Sequence, residues 1–126
     1  MSRVRVLNET NATLPRVAFD VIKKAALGDA YKMNVIIASP ATMKLLNKIY
    51  RDINKPTDIL SFPLSKKEGD MYICLPEARK EAKKFDRPYE NFLSFLFIHG
   101  CVHLKGYDHG GTMEKIEAKI RKKFKV

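Results

Sequence analysis

A chain of 126 residues can enclose one hydrophobic core and is too short for two ordinary domains, so residues 1–126 are read as a single domain. With 45% apolar and 30% charged residues it should fold as a globule, and two cysteines exclude a dense disulfide framework. Lys and Arg number 24 against 14 Asp and Glu; the formal charge of +10 calls for a polyanionic partner, nucleic acid being the simplest, unless it serves only solubility.

The chain opens on Arg3-Val-Arg-Val-Leu7, which alternates polar and apolar as a half-buried strand does. Its first residues lack the apolar core of a secretory signal, and the longest mainly apolar run, Phe92 to Ile98, is far below membrane-spanning length. The expected location is therefore the cytoplasm, with no membrane partner. Helical spacing follows from Leu14 to Leu27 through Val17, Val21, Ile22 and Ala25, then a β-branched strand, Met33 to Ala38. Ser39-Pro40 supplies a capping hydroxyl and a first-turn proline for a helix whose buried stripe is expected to be Met43, Leu46, Ile49 and Tyr50, and Ile53-Asn-Lys-Pro56 ends it.

A short strand is expected over Thr57 to Phe62, a polar turn over Ser65 to Gly69, and a neighbouring strand over Asp70 to Leu75. Pro76 opens a helix to about Lys84, and Pro88 opens the next. From Tyr89 to Leu104 that helix is apolar nearly all round, so it should be buried. A basic helix, Thr112 to Phe124, closes the chain; it reads either as a solvated helix with Ile116, Ile120 and Phe124 inward or as an RNA-facing stripe. The fold class is α+β, with a small mixed sheet, four-stranded, packed against helices and a buried central helix at its heart.

All three histidines fall within eleven residues, His99-Gly-Cys-Val-His103-Leu-Lys-Gly106-Tyr-Asp-His109, an H-x3-H-x5-H spacing. Four residues apart on a helix, His99 and His103 share a face; Gly106 can leave the helix through a left-handed conformation and return His109 to the same place. Three imidazoles around a divalent ion, zinc being the expected one, leave a coordination position for water, whose pKa can fall from about 16 to near 7. Cys101 points about 200° away from His99 and reads as a small buried thiol rather than a ligand.

These residues and two further segments point to one family. His99-Gly-Cys-Val-His-Leu-Lys-Gly-Tyr-Asp-His109 resembles the signature of the YbeY family of bacterial metal-dependent endoribonucleases, implicated in rRNA maturation and ribosome quality control. Leu46-Asn-Lys-Ile-Tyr-Arg51 followed by Pro56-Thr-Asp-Ile-Leu-Ser-Phe-Pro63 is similar to its second block, and Gly69-Asp70 resembles the start of a third. The resemblance implies an α+β fold with the metal-bearing helix near its centre and His99, His103 and His109 as zinc ligands. Val102 stands where the family commonly has leucine.

The zinc-peptidase signature H-E-x-x-H carries a glutamate base after its first histidine, and here that position is Gly100. Phosphodiester cleavage leans instead on charge stabilisation, which an ion and an arginine can supply. Arg51, at a helix end in the second block, is the candidate catalytic arginine because its planar fork suits phosphate; the alternative is an ion pair with Asp52 or Asp58. Asp58 and Ser61 either support the site or merely cap a turn and bond a strand, and Tyr107 and Asp108 either shape the loop to His109 or simply turn the backbone. The expected function is a single-strand-specific endoribonuclease acting on rRNA or its precursors in the company of the ribosome or ribosomal proteins. The alternatives are a minimal metzincin-like zinc peptidase and a non-catalytic zinc-stabilised rRNA-binding module.

Overall fold

Alternating apolar positions become strands, and longer runs, amphipathic in all but the apolar 89–104 segment, become helices. In order these are β1 (Val4–Asn8), α1 (Phe19–Leu27), β2 (Lys32–Ile37), α2 (Pro40–Arg51), β3 (Ile59–Ser65), β4 (Glu68–Ile73), α3 (Leu75–Lys84), α4 (Tyr89–Leu104) and α5 (Gly111–Phe124). This is a computed structural model that describes residues 4–106 and 110–126. The sheet order is β1-β2-β4-β3, with β1 and β4 parallel to β2 and β3 antiparallel to β4. The expected mixed four-stranded α+β architecture is the one adopted. No helix among the described residues is long and apolar enough to cross a membrane.

Side chains alternate across the pleat, so β3 and β4 feed a core on each face of the sheet. Met33, Val35 and Ile37 of β2 with Met71 and Ile73 of β4 join buried residues of α1, α3, α4 and α5 in the larger one. On the other face Leu60 meets Ala38, Met43 and Cys74 beneath α2. The Ser39 hydroxyl accepts the Thr42 N–H at 3.2 Å and Pro40 follows it, so α2 begins where expected. It ends at Arg51, where Asp52 turns left-handed with φ 57°.

Of the stripe expected to be buried on α2, Met43 is buried and Leu46 packs on the same core, but Ile49 and Tyr50 are exposed, because the small core beneath the helix reaches no further along it. Two stretches also depart clearly from the expected boundaries. The helix α1 starts at Phe19 rather than near Leu14, because the Arg16 N–H donates to the Glu90 carboxylate of α4 and residues 13–18 stay outside regular secondary structure. The hairpin between β3 and β4 is also tighter than expected. Ser65 pairs with Glu68 around Lys66-Lys67, with a register shift after Pro63, so β3 runs on to Ser65 and β4 begins at Glu68.

Across the sheet lies α4, whose buried residues include Phe92, Leu93, Leu96, Phe97, Ile98, Cys101 and Val102. Phe97 is fully buried and meets the Phe19 ring edge-on at 4.9 Å. Gly100 brings this helix close to the strands: a Cβ there would stand 2.5 Å from Met71 Cε and 3.0 Å from Ile59 Cδ1 and Ser61 Oγ.

Candidate functional site

The side of α4 that meets β3 carries His99 and, one turn on, His103. Their rings stand nearly perpendicular, 87° apart, with centroids 4.9 Å from one another. Both line a cleft of about 520 Å3 walled by Arg51, Thr57, Asp58, Ser61, Pro63 and Gly100, among others. Three elements build it: α4 supplies the imidazoles, β3 its floor through Ile59, Ser61 and Pro63, and the end of α2 supplies Arg51. The helix closes at Leu104, and Gly106 takes φ 106°, the left-handed exit its missing Cβ allows. Tyr107, Asp108 and His109 lie outside the described residues.

On its other side, His99 is held by α5. His99 Nδ1 donates to Oε1 of Glu117, a nearly buried carboxylate on the inner face of that helix beside Met113 and Ile120. A carboxylate only accepts, so Nδ1 carries the proton and Nε2 is the nitrogen with which His99 would hold an ion. This is the carboxylate–histidine pairing that orients imidazole ligands. Two rings one turn apart, one of them fixed through Nδ1, fit a divalent ion. Among the described residues no cluster of three potential ligands occurs, His109 being outside them. Composition hides Glu117 in a basic helix; the readable signal is its place on the stripe with Met113 and Ile120.

Arg51 is exposed at the mouth of the cleft, and none of the ion pairs among the described residues involves it. The expected alternative, pairing with Asp52 or Asp58, is not formed: Asp52 pairs with Lys48 at 2.9 Å and Asp58 accepts the Thr57 hydroxyl at 3.4 Å. The chain after Arg51 is steadied by buried Asn47, whose Nδ2 donates to the Lys55 carbonyl at 2.8 Å.

Asp58 sits where the cleft wall meets α3, its carbonyl accepting the Cys74 N–H at 2.9 Å. Burial, reinforced by the negative charge of Glu81, raises its carboxyl above the ordinary carboxylate range against the pull of local backbone amides and the Thr57 hydroxyl. Ser61 packs against α4 at Gly100. Cys101 is buried away from the cleft, and that burial pushes its thiol well above the ordinary range, so it offers no thiolate.

Known proteins resemble this chain in sequence and in fold. The family model described as Endoribonuclease YbeY matches residues 3–125. An Endoribonuclease YbeY of Persephonella marina is 38% identical over 89 residues, 64% of this chain and 58% of that protein. One from Thermotoga maritima is 38% identical over 92 residues, covering 71% and 60%. The match thus spans under two thirds of these two relatives, whereas that to the Sulfurimonas denitrificans Endoribonuclease YbeY, 33% identical, covers 92% of this chain and 89% of the relative. The solution structure of Thermotoga maritima TM1509 superposes with a TM-score of 0.67 at 28% identity, over 98% of this chain and 92% of that one. A family match from one end to nearly the other, on a fold that turns His99, His103 and Arg51 into one cleft, makes this chain a member of the YbeY family.

Proposed function

We propose that the protein is a metal-dependent endoribonuclease that cuts single-stranded RNA, with rRNA or its precursors as substrate and the cytoplasm and ribosome as its setting. The observation that carries this reading is the shared cleft in which His99 and His103 of α4 face Arg51 of α2. The relatives named Endoribonuclease YbeY support it, as does the formal charge of +10.

In this reading His99, His103 and His109 hold one divalent ion, with zinc, which an all-imidazole donor set suits, the expected one. When bound, the ion supplies Lewis acidity toward a phosphoryl oxygen. Glu117 keeps the His99 ring in its orientation and its Nδ1 protonated. Arg51 neutralises charge on the non-bridging oxygens as the phosphate reacts, its guanidinium carrying a fixed positive charge and a planar fork of donors. Peptide hydrolysis fits poorly. The position after His99 is pressed against Met71, Ile59 and Ser61, so the glutamate that peptidase chemistry places there would have to displace them.

The test is cleavage of single-stranded and structured RNA and of casein by purified protein, with and without a chelator, beside His103→Ala. Single-stranded RNA is expected to be cut and casein not, and both chelation and His103→Ala should abolish cleavage. His103→Ala should also lose stoichiometric metal, and chelation should lower the Tm of the parent protein because the ion binds only the folded state. RNA cleavage that survives both, or a metal-free protein after reconstitution, overturns the reading.

A further inference from the structure

We propose that Tyr50 is a stacking platform for a base of single-stranded RNA as the strand leaves the cleft over the edge of β3. The inference rests on the RNA reading above and adds to it a residue that grips the substrate outside the cleft.

Tyr50 is the last but one residue of α2 and is 64% exposed, next to Arg51 at the cleft. Its ring is braced rather than loose. It packs against Phe62 with centroids 4.9 Å apart, and Phe62 meets Tyr72 edge-on at 5.7 Å. Ser61 and Pro63 of β3 line the cleft, while Phe62 between them points to the opposite face, so Tyr50 stands one strand's width from the cleft. That strand is an outer one, paired only with β4 among the described residues. A flexible strand can turn over such an edge, and a stiff duplex cannot.

An aromatic side chain held out in water by other aromatic rings offers a flat face at little entropic cost, which suits unstacked bases of any sequence. The surroundings suit the phosphates. Residues 40–57 carry Lys44, Lys48, Arg51 and Lys55 against the single acid Asp52. Leu45 and Ile49, also exposed, extend the apolar patch along α2. Cations alternating with an aromatic face are how proteins hold single strands without reading sequence.

The experiment measures affinity by fluorescence anisotropy, for a single-stranded RNA and for a duplex of equal length, in chelator so that neither is cut. Tyr50→Ala should weaken single-strand binding by about tenfold, as loss of one base–aromatic stack does, and Tyr50→Phe should stay within about twofold. Tyr50→Leu, which keeps apolar bulk but no ring face, should resemble Tyr50→Ala. Duplex binding should be unmoved by all three, and an RNA bearing 2-aminopurine should lose quenching only in the Ala and Leu variants. Equal binding by Tyr50→Ala and the parent protein overturns the inference alone and leaves the Leu45–Ile49–Tyr50 stripe to a protein contact. An equal loss on duplex RNA overturns it as well. A parent protein that binds no RNA brings down the reading beneath it.

Discussion

The two faces of the sheet carry unequal amounts of protein. Over one, α1, α3, α4 and α5 close a core that takes in Phe92, Phe97, Ile98, Met71 and Val35; over the other, among the described residues, lies α2 as the one helix, above Ala38, Met43, Leu60 and Cys74. Dense interiors hold their side chains in place, so the histidines on α4 inherit the rigidity of the thicker side. The helix α2 leaves Leu45, Ile49 and Tyr50 in water. On the proposed reading the contrast is a division of labour: fixed geometry where an ion would be held, open surface where a flexible polymer would be gripped.

The sharpest way to break this contrast is to truncate one side chain to alanine on each side. Phe97→Ala removes a fully buried ring and should cost about 3–5 kcal/mol, read as a lowered urea midpoint. Ile49→Ala on α2, 62% exposed in the parent, should change the stability by no more than about 0.5 kcal/mol. Comparable losses would mean that α2 packs as tightly as α4, and the division fails.

The next effect concerns chemistry. Arg51→Ala should slow single-turnover cleavage at saturating RNA by on the order of 100-fold, the loss of one preorganised charge-stabilising group. Folding and metal content should stay as they were, since Arg51 makes no ion pair among the described residues. Lys122→Ala on α5 is the matched control, with binding slightly weakened and its salt dependence reduced. An Arg51→Ala protein that cuts at the parent rate removes Arg51 from the reaction.

What could be read in advance was what local chemistry decides. Ser39-Pro40 starts α2, and the residues Pro88 to Leu104 delimit α4 because proline, apolar density and length all agree there. The histidine spacing likewise foretold that His99 and His103 share a face. What escaped was settled at a distance. Nothing near Arg16 says that its amide will go to Glu90, and so α1 was expected too early. The compact Lys66-Lys67 turn follows from the pairing of β3 with β4, which residues 65–69 alone do not encode. Glu117 lay hidden because a carboxylate among lysines looks solvated until α5 is laid against α4.

Glu117 therefore gives the finest test of how far the thick face sets the site. If its carboxylate orients the His99 imidazole, Glu117→Ala should weaken metal affinity about 10- to 100-fold, measured by competition with a zinc-chelating dye. Glu117→Gln keeps a carbonyl acceptor for the Nδ1 proton and should lose less. A residue that merely packs would behave otherwise: both variants would lower the Tm and neither would change the affinity. Ring 15N shifts of His99 separate the two cases directly, since the parent should hold its proton on Nδ1 and Glu117→Ala should let the two tautomers mix. Unchanged affinity with an unchanged tautomer would reduce the His99–Glu117 contact to packing, and the orientation of His99 would then depend on its place on α4.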